Sequence, residues 1–223
     1  MANDTDLTDY IGHSVPRANT LALLNGRGQF VDDISLPGML HVCFVRSPYS
    51  HARILEIDKQ DALQSPGVVA VVTGKELLAY CEPWRAELTH LPPMQTALQY
   101  AMPPERVCYQ GEPVVAVVAE SRALAEDAAE LVEIDWEELA NVASIEEAMQ
   151  SEGPRVHPEM DTNLAWSMEL EQGELDKQFS AADVIVEQEF YVDRQTGVTL
   201  EPRGIIANYN SADGQLLLHH STQ

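Results

Sequence analysis

The fold is decided by residues 113–139, PVVAVVAESRALAEDAAELVEIDWEEL. PVVAVVAE is apolar without a break from Val114 to Ala119, the pattern of a strand covered on both faces. Ser121 then stands where a helix N-cap accepts a backbone N–H. The helix predicted next, RALAEDAAEL, sets Leu124, Ala128 and Leu131 at i, i+4 and i+7 on one stripe. VEIDWEEL follows with alternation: Val132, Ile134 and Trp136 face one way, Glu133, Asp135 and Glu137 the other. Strand, helix and strand in close succession define a mixed α+β chain.

Upstream, the pattern is looser but of the same kind. LHVCFV and ARILEID are strand signals with SPYSH as the turn between them. KQDALQS reads as a short helix that Asp58 can cap, Pro66-Gly67 ends it, and VVAVVTG is a buried strand. KELLAY starts another helical turn. Between Cys81 and Arg106 lie Pro83, Pro92, Pro93, Pro103 and Pro104, a spacing that no regular element survives, so a long loop is expected. Residues 1–19 read as an extended arm, and LNGRGQFVDDISLPGML as loop and short strand.

Downstream, ASIEEAMQ is a short helix and SEGPRVHPEMDTN a linker, which places a domain boundary near residue 150. The remainder is β-rich: ADVIVEQEFYVDRQ, then GIIANYN and QLLLHHST, the last two joined by a two-residue turn at Asp213-Gly214. Three strands and one short helical piece make a poor core. The expectation is a second domain that starts here and is cut before it closes.

Bulk properties exclude several classes. Acidic residues outnumber basic ones by 36 to 13, and the net charge of −23 repels phosphate backbones and anionic lipid, against nucleic-acid or membrane binding. Cys43, Cys81 and Cys108 are sparse and odd in number, which fits reduced thiols. MANDTDLTDY has neither a basic start nor an apolar segment, and no run approaches the ~20 apolar residues of a membrane span. A soluble, cytoplasmic protein is expected.

Candidate chemistry is thin. Gly26-x-Gly28 lacks the strand before and helix after that a dinucleotide loop needs, so a structural turn with glycine at positive φ is expected. The histidines form no metal pattern; His219 and His220 are adjacent on a strand and point apart, and His51 in SPYSHARI reads as a turn hydrogen-bonder. Glu133, Asp135 and Glu137 read as a solvated face. In LEPRG, Pro202 bars helix, Gly204 lets the chain turn, and Glu201 is expected to pair with Arg203 or Arg194. No set of residues here assembles a complete active site.

Taken in order, GRGQFVDDISLPGMLHVCFVRSPYSHARILEID, DALQSPGVVAVVTGKEL, YQGEPVVAVVAESRALAEDAAELVEIDWEEL, LEPRGIIANY and STQ resemble the opening of one family's large subunit. That family is the xanthine dehydrogenase, aldehyde oxidase and carbon monoxide dehydrogenase family, whose large subunit binds molybdenum. The match runs from about residue 11 to residue 223. It implies an α/β hammerhead domain over residues 20–140, a linker over 141–154, and the opening strands of a molybdenum-cofactor-binding domain over 155–223. It also implies hydroxylation of an electrophilic carbon, in an aldehyde, an N-heterocycle or a CO-type substrate, with oxygen drawn from water.

For cofactors the resemblance implies molybdenum–molybdopterin in its cytosine dinucleotide form, with 2Fe-2S clusters and FAD on partner subunits and none expected on the isolated chain. The implied partners are the remaining C-terminal part of the large subunit and the iron–sulfur and flavin subunits. Of site residues it carries over one: Gln223 of STQ takes the place of the glutamine that donates its amide to an oxygen ligand of the metal. The family's glycine-rich pterin loops and its basic glutamate have no counterpart in this sequence, and Glu201 is not that base. Leu200 stands where many relatives carry Met. The isolated chain is therefore expected to be inactive; a stand-alone hammerhead module for binding or assembly is the alternative, and an acidic assembly factor a third.

Overall fold

A computed structural model describes residues 11–91 and 94–222. In chain order the elements are α1 (Thr20–Leu24), β1 (His41–Arg46), β2 (Ala52–Asp58), α2 (Gln60–Gln64), β3 (Val68–Thr73), α3 (Gly74–Leu77) and β4 (Arg106–Val107). There follow β5 (Pro113–Ala119), α4 (Arg122–Ala129), β6 (Glu133–Glu138), α5 (Ile145–Ala148), α6 (Leu175–Ala181), β7 (Ile205–Asn210) and β8 (Gln215–His220). The chain is mixed α+β as its pattern required. It divides into two compact units, residues 38–186 and residues 1–37 with 187–223.

In the 38–186 unit β5 is the centre of a three-stranded sheet, order β1-β5-β3, antiparallel on both sides. A second sheet has the order β4-β2-β6, also antiparallel. The two share one core of Ala52, Ile54, Ala62, Val71, Val107, Val114, Val115, Val117 and Ala128. Val114 and Val115 lie on opposite faces of β5 and both are fully buried, which is why this strand has no polar side. Each helix between strands carries the chain from one sheet to the other: β2-α2-β3 and β5-α4-β6 bridge sheets rather than forming a parallel pair.

Local chemistry explains the boundaries. The Ser121 hydroxyl accepts from Leu124 N at 3.3 Å and starts α4 as expected. The buried stripe of α4 differs from the expected one: Ala125 and Ala128 are buried, while Leu131 lies beyond the helix end and is half exposed. Alanines let the helix lie close to the sheet, and Leu124 instead covers Gly67, where a Cβ would fall 2.6 Å from Leu124 Cδ1. Lys59, not Asp58, is the N-cap of α2; the Asp58 carboxylate accepts from Gln60 N one position along. Thr73 and Glu76 form a capping box at α3, and Lys59 Nζ donates to Glu76 and to Val71 O at 2.8 Å.

On β6, Ile134 and Trp136 turn inward, and Glu133, Asp135 and Glu137 face solvent as the alternation required. Arg53 and Glu137, directly opposite on β2 and β6, form an ion pair. The described part of the 81–106 loop holds one isolated bridge, Trp84 with Gln99.

In the unit of residues 1–37 and 187–223, β7 and β8 pair as an antiparallel hairpin. Its connection is four residues, Ser211 to Gly214, because Asn210 pairs with Gln215 and Gly214 takes φ +71°. The expected two-residue turn at Asp213-Gly214 is therefore corrected to a longer one. ADVIVEQEFYVDRQ, residues 182–195, of which 187–195 belong to this unit, forms no strand, and Phe190, Tyr191 and Val192 are each at least 80% exposed. A strand needs neighbours for its backbone donors and acceptors, and among the described residues none lies beside this one. Near the front, the short α1 precedes the stretch LNGRGQFVDDISLPGML, and where loop and a short strand were expected that stretch holds a 3-10 turn, Val31–Asp33, and no strand. Gly26, at φ +67°, ends α1 as the structural turn that was expected.

Candidate cofactor-edge site

The 199–222 segment supplies the one arrangement that joins several of the quoted motifs. Pro202 has no N–H and Gly204 has no side chain, so LEPRG bends instead of extending β7 backwards. The main chain closes the hairpin one step past β8, with Ser221 N donating to Gly204 O at 3.1 Å. The Ser221 hydroxyl then fastens the bend twice. It donates to Pro202 O at 2.7 Å and accepts from Gly204 N at 2.8 Å. Thr199 Oγ1 donates to Glu201 O at 2.6 Å on the other limb.

Glu201 makes neither of the expected ion pairs; among the described residues it pairs with neither Arg194 nor Arg203. Its Oε1 accepts instead from Val31 N, 3.1 Å away across 170 positions of sequence. Val31 opens the 3-10 turn, so its N–H has no partner within that turn and is free to be taken. The turn itself is tied by Asp33, whose carboxylate accepts from Phe30 N at 2.9 Å. Gly204 lies against the same residue: a Cβ there would sit 3.2 Å from Val31 Cγ1. A shallow cleft of about 200 Å³ runs between Phe30–Asp33 and Leu200–Gly204. FVDD, LEPRG and the serine of STQ thus meet. Gln223 lies outside the described residues.

The remaining candidates carry less chemistry. His51 is buried, and its Nδ1 donates to Ala140 O at 2.7 Å, so it is a hydrogen-bonder, though to a partner far along the chain. His219 is half-buried and His220 exposed on neighbouring positions of β8. Cys108 Sγ lies 3.8 Å from His157 Nδ1, but burial raises the thiol pKa and lowers that of the imidazole, so both are held neutral. An activated nucleophile needs the opposite shifts. Among the described residues no group of three or more His, Cys, Asp or Glu is placed to hold a metal ion, and no helix is long and apolar enough to cross a membrane. The three cysteines are unpaired. A cleft of about 480 Å³ lies beside the long loop, lined in part by Arg85, Leu88, Met94, Glu159 and Asp161.

Comparison with known families assigns both ends of the chain. Residues 25–140 match the family described as aldehyde oxidase and xanthine dehydrogenase, a/b hammerhead domain. Residues 156–223 match a molybdopterin cofactor-binding domain. The chain belongs to the aldehyde oxidase and xanthine dehydrogenase family, and its α+β fold is the hammerhead arrangement followed by a cofactor-domain hairpin.

Among its relatives, the nicotine 6-hydroxylase large subunit of Paenarthrobacter nicotinovorans is 38% identical over 213 residues, covering 96% of this chain and 26% of that protein. The carbon monoxide dehydrogenase large chain of Afipia carboxidovorans is 31% identical, covering 91% and 26%. The crystal structure of quinoline 2-oxidoreductase from Pseudomonas putida 86 superposes with a TM-score of 0.88 at 36% identity, over 95% of this chain and 27% of that one. The chain spans about a quarter of the length of these relatives.

The donor set offers a direct test of fit to a molybdopterin. Such a cofactor takes hydrogen bonds from free amide donors, and here two beside the cleft are occupied, Val31 N by Glu201 and Gly204 N by Ser221. These two donors are therefore not open to a cofactor.

What sequence reasoning missed was the use of Ser221 and the partner of Glu201. Ser221 sat inside a quoted motif, but nothing local shows which carbonyl a serine will reach. The Thr73–Glu76 capping box was the opposite case: T-x-x-E is written plainly in TGKE.

Proposed function

We propose that this chain is the leading part of the large subunit of a molybdenum hydroxylase, and that alone it is inactive. In this reading residues 20–140 are the hammerhead domain and residues 155–223 open the cofactor domain. The complete enzyme hydroxylates an electrophilic carbon with water-derived oxygen. An N-heterocycle is the favoured substrate class, since over nine-tenths or more of the chain the relatives named for nicotine and quinoline are 38% and 36% identical and the carbon monoxide dehydrogenase large chain 31%. Molybdopterin, in its cytosine dinucleotide form, supplies the oxygen transfer and the electron sink when bound. Iron–sulfur and flavin subunits carry the electrons on, and the assembly works in the cytoplasm.

This chain's own share is positional. Gln223 donates its carboxamide at the cofactor's edge, and the LEPRG bend holds the strand that leads to it. The observation that supports the reading is the match of residues 156–223 to a molybdopterin cofactor-binding domain, in a chain that spans about a quarter of its relatives' length. A second reading, a stand-alone hammerhead module, draws on the core of the 38–186 unit, which is built from residues between Ala52 and Ala128. Supplying the purified chain with molybdenum cofactor and an aldehyde or N-heterocycle separates fragment from enzyme. No turnover is expected; oxidation above a no-protein control would overturn the inactivity of the fragment.

A further inference from the structure

We propose that residues 154–165 form a strap on the outer face of the β4-β2-β6 sheet, docked while His157 is neutral and released when His157 takes up a proton. The strap belongs to the 38–186 unit by itself, and its release does not depend on the function proposed above. Ala52 and Val107 are directly paired and fully buried in the core, so the residues beside them turn to the opposite face. That face carries Arg53 opposite Arg106, with His51 and Cys108 one position beyond Ala52 and Val107. Like charges directly opposite each other destabilise a sheet unless each is balanced. Arg53 has Glu137 from β6, and Arg106 has Glu159 from the strap at 3.1 Å. Arg106 Nε is buried without a partner among the described residues, so Glu159 is what balances this arginine.

The strap is shaped by its own bonds. The Asn163 carboxamide closes it, accepting from Val156 N at 3.1 Å and donating to Pro154 O at 2.8 Å, while Met160 N donates to His157 O at 2.9 Å. Its far end is tied to the long loop, where Gln95 N donates to Ala165 O at 2.8 Å. Its near end rests on Cys108, whose Sγ lies 3.7 Å from Val156 O and 3.8 Å from His157 Nδ1. A thiol is a weak donor, so docking leans on the Arg106–Glu159 pair and on what His157 meets.

What His157 meets suits a neutral ring. Arg106 and His51 face it from the sheet, Cys108 lies against it, and Glu159 Oε1 stands 3.7 Å away. His51 is 5% exposed and supplies no negative charge: its Nδ1 donates to Ala140 O, and its Nε2 has no partner among the described residues. Glu112, the other carboxylate beside Cys108, is engaged with Cys108 N at 2.7 Å. An imidazolium at 157 would leave Glu159 to serve two cations at once. Burial is the first cause that lowers the His157 pKa; Glu159 opposes it, and Arg106 and His51 add to the lowering. A histidine whose docked pKa lies below its free value of 6.5 favours docking fully above pH 6.5, and that contribution is lost as pH falls through the docked value.

The 223-residue chain contains the internal standard for a test, since Cys81 is exposed while Cys108 is half-buried at the strap. The rate at which a dipyridyl disulfide labels Cys108, divided by its rate at Cys81, reads release of the strap with the reagent's own pH response divided out. One proton taken up on release allows at most about a tenfold rise per pH unit, and from about pH 7.5 to about pH 5.5 the ratio should rise roughly threefold or more. The Gln95 amide should lose protection from hydrogen exchange in step, while the amides of β5 keep theirs, which separates release from unfolding. His157→Gln should hold the ratio flat at the wild-type level of neutral pH, and Glu159→Gln should raise it already there. The His157 ring, followed by proton NMR, should titrate over the same interval as the ratio; this decides the matter if H157Q frees the strap by itself and raises the ratio at every pH. A flat ratio in the wild type, a pH slope retained in H157Q, or a ring titration outside that interval would overturn the proposal.

Discussion

The two units are built from similar sequence and differ in what covers it. β5 and β8 are both short, apolar strands. In β5, Val114, Val115 and Val117 are fully buried, between two neighbouring strands and against α4. In β8, Leu216, Leu217 and Leu218 are 57%, 55% and 43% exposed, on a hairpin with one partner. Apolar residues therefore specify a strand in both places, but contribute their burial energy in only one. The second unit is held instead by directional bonds, among them those of Ser221 and Glu201, which need only one partner each.

That contrast can be broken experimentally, and the largest effect belongs to the core. Val117→Asp should destabilise the chain by on the order of 4 kcal/mol or more, since it buries an unpaired carboxylate; urea unfolding of the 38–186 unit measures it. A midpoint close to wild type would mean that the core relaxes far more than its packing implies.

Gly74→Ala comes next. A Cβ at Gly74 would lie 2.3 Å from Pro103 O and 2.7 Å from Met102 O, backbone atoms that cannot step aside alone. The expected loss is about 1–3 kcal/mol. A neutral result in the same assay would show that the 102–104 segment moves freely.

Smaller still is the acid response at α3. Lys59 lowers the Glu76 pKa by direct hydrogen bonding, with Thr73 adding to it. A carboxylate with a folded pKa below its unfolded value stabilises fully above the unfolded value of 4.5 and loses that contribution as pH falls through the folded one. Lys59→Met should therefore cost stability at neutral pH, with the gap to wild type narrowing below pH 4.5. A gap independent of pH would assign Lys59 a packing role only.

At the bottom of the scale stands Leu217→Asp, on the exposed β8. It should change the stability of the isolated chain by no more than about 0.5 kcal/mol. A loss comparable with that of V117D would erase the contrast.

The same contrast explains how much could be read beforehand. The β5-α4-β6 stretch was legible because each signal is local: continuous valines, a serine cap, an alternation of acid and apolar residues. The 182–195 segment has equally good strand composition and forms none, since pairing depends on a neighbour that composition does not describe. The order β1-β5-β3 was invisible for the same reason. At the site, LEPRG was legible as a bend, but Glu201 was matched to a nearby arginine because sequence distance is the only distance a sequence carries. Its real partner is an amide 170 positions away. The resemblance to the family came through long motifs, which register many residues at once.

Amide hydrogen exchange on the isolated 223-residue chain tests the central contrast most directly. Amides of β5 should exchange at least about 100-fold more slowly than those of β7 and β8, reporting a closed core beside an uncovered hairpin. Equal protection of β5 and β8 in the chain alone would contradict the account.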